Sequence, residues 1–366
     1  MEFKALKEDL VKALGVVMGA IGSRPNLPVL NNILLESTTP DELTLTATDL
    51  EFGIKTTCRA TVIDLNTATI PAKKLHDILR ELSPGEVEVT VGKNYAVNIK
   101  TNRSFFKLVG LEPGDFPKFP EPTPEQSFKL NQRALKQALA LTVFAISRDE
   151  ARYALNGVLV AVKNAKVRFV ATDGKRLACL ERDTQLPKEL DFEAIVPAKT
   201  VQELIKSLSD GDEEVEVVRA QNQIVFKIGK TQIASRLIEG KFPNFEQVIP
   251  KSEKTKTLVA REILLQAVRR VSLLTSQESQ SVKLDFIKGR LLISSRSPNL
   301  GEAKEEIEVD VSGDDLSIGF NPGYLIDVLK NLDENEVSLS LTDPDKPGLI
   351  RSGQDYQYVI MPMQLT

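Results

Sequence analysis

The sequence predicts an α+β chain of three similar domains, with helices gathered on one face of antiparallel sheets. Three observations carry this. One amphipathic helix phrase is written three times, alternating strands follow each helix, and the composition is globular: 366 residues, 42% hydrophobic and 27% charged.

The phrase reads "IPAKKLHDILREL" at 70–82, "VPAKTVQELIKSL" at 196–208 and "FNPGYLIDVLKNL" at 320–332. Leu75, Val201 and Leu325 fall in register, and so do Ile78, Leu204 and Val328, then Leu79, Ile205 and Leu329, at offsets of 126 and 124 residues. An acid recurs as Asp77, Glu203 and Asp327. Self-similarity at a constant period decides the architecture before any single motif does.

A second helix opens each repeat after a short strand: "FKALKEDLVKALGVVMGAI" from Phe3, "FKLNQRALKQALALTVFAI" from Phe128 and "LVAREILLQAVRRVSLLT" from Leu258. The six predicted helices are 6–21, 72–82, 131–148, 198–208, 261–275 and 322–332. The stretches 87–101, 215–229 and 337–352 alternate apolar and polar residues around polar or Gly/Pro turns, the pattern of hairpins. The proline-rich "LEPGDFPKFPEPTPEQ" at 111–126 and the charged "IPKSEKTKT" at 249–257 read as linkers. They divide the chain into domains 1–121, 122–250 and 251–366.

The predicted helices carry a net charge of +7 in a chain whose net charge is −4, leaving −11 for everything else. A basic helix face on an acidic protein suits a polyanion. Other classes fall away. The longest apolar stretch, 138–146, is far short of the ~20 residues a bilayer needs. Cys58 and Cys179 are too few for a disulfide framework and point to a reducing, cytosolic setting. A single histidine, His76, weighs against histidine triads and rules out histidine-rich metal sites; no role is assigned to it.

Two motifs fail on their spacing. "GKT" at 229–231 has Ile224 where a phosphate loop needs glycine. "DPDKPG" at 343–348 has Gln354 where a calcium loop needs a bidentate glutamate. Asp49 and Asp173 sit at equivalent repeat positions after strands and are read as turn-ordering side chains. The competing readings are a nucleic-acid enzyme with a metal on Asp49 or Asp173, and a peptide scaffold without DNA.

The blocks "RPNLPVLNNILLE", "TATDLE", "RYALNGVL", "ATDGKRLA", "GKFPNFEQVIP" and the terminal "YVIMPMQL" resemble the bacterial DNA polymerase III beta subunit, the sliding-clamp family, over the whole chain. The resemblance implies the DNA clamp fold: a head-to-tail homodimer whose six domains close a ring, helices inside and sheets outside. Six helices about 10 Å apart would enclose a hole of only ~10 Å, whereas twelve give ~28 Å, room for a hydrated duplex about 20 Å across. Such a ring is not an enzyme and needs no cofactor or metal. It tethers the replicative polymerase, is opened by a separate clamp loader, and holds double-stranded DNA without reading sequence.

By resemblance, DNA-facing residues are Arg24, Lys73, Arg80, Arg148, Arg152, Tyr153 and Lys199. A partner-peptide groove is implied at Leu155, Thr172, Gly174, Lys175, Arg176, Leu177, Pro243, Val248, Asn321, Tyr324, Val359, Ile360, Met361, Pro362 and Met363. Its paired methionines suit varied clamp-binding-motif peptides, because the thioether is flexible and polarizable. The dimer contact is implied at Lys74, Ile78, Phe106 and Leu108 against Leu273 and Leu274. The chain departs from common family members at Ala154, Lys175, Gln364 and Thr366, which bears on peptide preference.

Overall fold

Each copy of the repeated phrase folds as a helix because its leucines and valines recur every three or four residues and meet a sheet. The computed structural model describes residues 1–22, 26–120, 124–275 and 281–364. Its helices are α1 (Lys7–Val17), α2 (Ala72–Glu81), α3 (Gln132–Ala140), α4 (Ala198–Ser207), α5 (Arg261–Ser272) and α6 (Pro322–Asn331). Pro71 precedes α2 as its N-cap residue, and Pro322 occupies the first turn of α6, where a missing N–H costs nothing. Asn321 Oδ1 accepts from Gly323 N (2.8 Å), completing that cap.

The expected helix 131–148 is shorter than the sequence suggests. α3 ends at Ala140, followed by a single 3₁₀ turn at Val143–Ala145. The Thr142 hydroxyl donates to Ala138 O (2.9 Å) and Leu139 O, taking carbonyls of the last turn out of the ladder. Arg148 therefore lies beyond the helix, and the six helices carry one positive charge fewer than the sequence count.

The chain divides into two compact units, Met1–Ala134 with Gln202–Leu237, and Leu135–Val201 with Ile238–Thr366. The first holds a five-stranded antiparallel sheet, in the order 61–64, 2–6, 86–91, 96–100, 105–109. It also holds an eight-stranded sheet, in the order 126–131, 214–220, 223–228, 231–236, 52–59, 42–48, 32–39, 67–71. Helices α1 and α2 pack together over Leu14, Val17, Ile33, Leu45, Ile54, Ile70 and Leu79, all buried.

The second unit holds a nine-stranded sheet, in the order 192–197, 157–163, 166–172, 176–183, 356–360, 348–352, 336–341, 255–260, 311–313, and a four-stranded one, 301–308, 290–297, 282–287, 316–320. α5 and α6 pack together, with Leu264, Val268, Leu325 and Leu329 buried.

In both large sheets, strands from different repeats pair edge to edge. Ile233 faces Ile54 in one, and Tyr358 faces Ala178 in the other. Strands 105–109 and 301–308 end their own sheets without such a neighbour among the described residues.

Asp49 and Asp173 order turns, as read from the sequence. Asp49 Oδ1 accepts from Glu51 N and Phe52 N (2.7 Å), and Asp173 Oδ1 accepts from Lys175 N and Arg176 N.

Candidate interaction surfaces

Most of the sequence-assigned groove residues converge in the second unit. Strand 176–183 pairs with strand 356–360, setting Leu177 opposite Val359 and Arg176 opposite Ile360. Because successive strand residues face opposite ways, Leu177 and Val359 share a buried cluster with Leu155, Ile238 and Phe242. Pro243 and Val248 are exposed on the segment that follows Phe242. Ile360 alternates to the other side with Tyr358 and is fully buried, so its side chain is core and not groove.

The rim is built by backbone. Thr172 Oγ1 donates to Arg176 O and accepts from Gly174 N, closing a turn that leaves Gly174 and Lys175 exposed. Met361 N then donates to Lys175 O (2.9 Å), and Met363 N to Gly319 O (2.8 Å). These two bonds stretch Met361, Pro362 and Met363 along a cavity of about 400 Å³, also lined by Ile318, Gly319 and Pro344.

Arg176 has a different character from its neighbours, since its side chain is only 10% exposed. Nε donates to Asp173 Oδ2 (3.1 Å), Nη1 to Asp327 Oδ2 (2.7 Å) and Nη2 to Phe144 O (2.6 Å). The guanidinium also lies over the Tyr324 ring, 4.4 Å from its centroid. Burial is the largest single influence and opposes its charge, but the Asp327 hydrogen bond, Tyr358 and the Asp173 carboxylate together outweigh it and hold the guanidinium more firmly protonated than usual. Burial likewise works against the Asp327 carboxylate, which Arg176 and Lys330 nonetheless hold below its ordinary range. All three guanidinium nitrogens point inward, so Arg176 fixes the Tyr324 wall.

Asp327 and Phe144 were not foreseen as part of this site. The recurring acid at Asp77, Glu203 and Asp327 was the available signal. Glu203 lies against Gly19, the residue equivalent to Phe144 one repeat earlier.

The cationic candidates fall in two groups. Lys73 and Arg80 are exposed on α2, opposite buried Leu75 and Leu79. Arg148 precedes the 3₁₀ segment Glu150–Leu155, which carries Arg152 and exposed Tyr153, and exposed Lys199 lies in the first turn of α4. Arg24 lies outside the described residues, as do the expected boundary at 121 and Thr366.

The dimer candidates are surface features. On the edge strand 105–109, Phe105 is 64% and Val109 73% exposed, flanking Phe106 and half-buried Leu108. Lys74 and half-buried Ile78 sit on α2, and Leu273, 76% exposed, precedes half-buried Leu274 after α5. In the second unit the strand 301–308, "GEAKEEIE", is also an open edge of its own sheet, and it carries Glu302, Glu305, Glu306 and Glu308.

The N-terminal, central and C-terminal domain families of the DNA polymerase III beta subunit match residues 1–120, 129–244 and 246–364. The chain is 34% identical over its full length to the beta sliding clamp of Chlamydia pneumoniae, covering 99% of it, and 35% identical to that of Pseudomonas aeruginosa, covering all of it. Among solved structures, the P. aeruginosa sliding clamp bound to griselimycin superposes with a TM-score of 0.95 at 34% identity. The Bacillus subtilis clamp does so at 0.96 with 29% identity, each covered fully in both directions.

Proposed function

Because the chain belongs to the DNA polymerase III beta subunit family, we propose that two copies close head to tail into a sliding ring around duplex DNA and tether a polymerase to it. The observation that carries this is the unfinished series of cross-repeat sheets.

Each finished seam follows one chain of paired residues. In the first unit it runs Val217, Phe226, Ile233 and then Ile54. In the second it runs Leu339, Ile350, Tyr358 and then Ala178. The remaining copy runs Val89, Ile99, Phe106 and stops at an edge. Its counterpart edge is 301–308, where Ala303 holds the position of Ala178, since Ser295 pairs with Ala303 as Ala171 pairs with Ala178.

Pairing Phe106 of one protomer with Ala303 of its partner therefore continues the series. That register sets Lys107 opposite Glu302, an opposite-charge cross-strand pair worth about 0.2–1 kcal/mol, and brings Arg103, in the turn before the strand, toward Glu306. The two edges belong to opposite ends of the chain, so the contact is heterologous and closes only as a ring. It brings Lys74 and Ile78 toward the partner's Leu273 and Leu274.

Inside the ring, Lys73, Arg80, Arg148, Arg152 and Lys199 face phosphates, with Arg24 and Tyr153 alongside. Topology replaces affinity: a closed ring cannot leave sideways, so weak sequence-blind contacts suffice. The groove around Leu155, Leu177, Val359 and Met361–Met363 takes short motif-bearing peptides from the polymerase, the clamp loader and other DNA-handling proteins. No residue is assigned a catalytic role.

The test is mass in solution combined with retention on DNA. The expected species has twice the 40.5 kDa of one chain, stays on circular DNA and runs off linear ends. Equal retention on both, or a stable monomer at working concentration, would refute the ring. Turnover of DNA with magnesium would favour the enzyme reading instead.

A further inference from the structure

One guanidinium touches both of the surfaces just assigned. Arg152, among the DNA-facing candidates, donates from Nη1 to the main-chain carbonyl of Asp173 (3.0 Å). Its Nε lies 3.6 Å from the Asp149 carboxylate, and its side chain is 53% exposed. Asp173 begins the turn whose next two residues, Gly174 and Lys175, form the groove rim, and Lys175 O carries the Met361 N hydrogen bond.

The turn is shaped for this contact. Gly174 sits at φ +85, a conformation side chains other than glycine rarely adopt, and a Cβ there would lie 2.5 Å from Arg152 Nη1. Any larger residue would push the guanidinium off the carbonyl. A carbonyl is a neutral acceptor, however, and a DNA phosphate is a charged one, making hydrogen bonds to arginine roughly twice as strong. The exposed Asp149 pair offers little to hold the side chain back.

We propose that Arg152 is a positioning residue for the peptide groove and that DNA competes for it, so that DNA contact and peptide binding weaken one another. With Arg152 on Asp173 O, the rim is tied to segment 149–153 and Met361 is held by an ordered turn. With Arg152 on a phosphate, the tie is released and the rim loosens. Linkage makes the effect reciprocal: a peptide that needs the ordered rim reduces the affinity for DNA by the same factor. The loss of one hydrogen bond at an exposed site sets the scale at about two- to five-fold in affinity. This inference rests on the ring and groove reading above.

The experiment uses the full-length dimer at low salt and a fluorescein-labelled peptide carrying a Gln-Leu-Phe motif, with anisotropy read with and without saturating short duplex DNA. In the unaltered protein, DNA is expected to raise the peptide Kd about two- to five-fold. In Arg152→Ala the Kd should be raised already and be the same with and without DNA. Gly174→Ala displaces Arg152 but keeps its charge for DNA, so peptide affinity should fall as in Arg152→Ala while retention on circular DNA is undiminished. A DNA effect that survives in Arg152→Ala, or peptide binding indifferent to DNA in the unaltered protein, overturns the coupling alone. Absence of any peptide binding overturns the groove reading and the coupling with it.

Discussion

Removing Asp327 tests the clasp that holds Tyr324 in place. In Asp327→Ala, Arg176 keeps Asp173 and the Phe144 carbonyl but loses its shortest carboxylate partner, at 2.7 Å. Breaking a fully buried pair costs about 3–5 kcal/mol, and an exposed pair about 0–1. Arg176 is 10% and Asp327 30% exposed, so the cost should be about 2 kcal/mol, or about 4–8 °C in Tm for a unit of this size. The assay is calorimetry on the full-length protein, with a double-mutant cycle through Arg176→Ala and Lys330→Ala as the exposed control, expected to change stability by less than about 0.5 kcal/mol.

The pH dependence carries a sign. The folded Asp327 carboxylate titrates below its ordinary value of 3.8. Its contribution is therefore full above that value and is lost only as pH falls below it, through the depressed folded value. The cycle should thus give the same coupling at pH 5 and pH 8. A coupling near zero at neutral pH, or one that fades between pH 8 and pH 5, would refute the clasp.

Other expectations follow from the same geometry. Arg103→Glu with Lys107→Glu should weaken the dimer by about tenfold in sedimentation equilibrium, and Glu302→Lys with Glu306→Lys should restore it; restoration failing would exclude the proposed register. Arg24→Ala with Lys199→Ala should shorten retention on circular DNA without changing Tm, and should reduce the salt slope by roughly one unit for each phosphate no longer neutralised. Deleting residues 362–366 should abolish binding of a Gln-Leu-Phe peptide while the dimer mass is unchanged; surviving binding would move the groove elsewhere. Burial pushes the thiols of Cys58 and Cys179 up to about 12, so both should react with iodoacetamide at pH 8 far more slowly than in the unfolded chain.

The helices were legible because leucines at helical spacing recur at a constant period, and the hairpins because their alternation is interrupted by turn residues. The stop of α3 was not, since apolar residues continue through Leu141, Val143 and Ile146, and it is the Thr142 hydroxyl that caps the ladder. Nor was the pairing of 231–236 with 52–59, because alternation identifies a strand without saying which distant edge it meets. Around strands 176–183 and 356–360, the inward engagement of Arg176 was not legible. A buried arginine and a contacting arginine look alike in a sequence until the acid that satisfies one of them is found. The acidic edge 301–308 is hidden for a related reason, because its glutamates are interspersed with Ala303, Lys304 and Ile307 and only the sheet order makes the strand an edge.

The two seams within the chain and the third one proposed between chains would share one hydrogen-bonding pattern but differ in what backs them. Strand 231–236 meets 52–59, and 356–360 meets 176–183, on polypeptide that is already continuous, so each partner is present at the millimolar effective concentration of a short tether. The edge at 105–109 has no such tether to the partner's 301–308. In the proposed ring, two of the six seams therefore respond to dilution while four do not. On that proposal, the same ladder would be permanent where the chain is continuous and reversible where two chains meet, which would confine opening to those two places without any special sequence there.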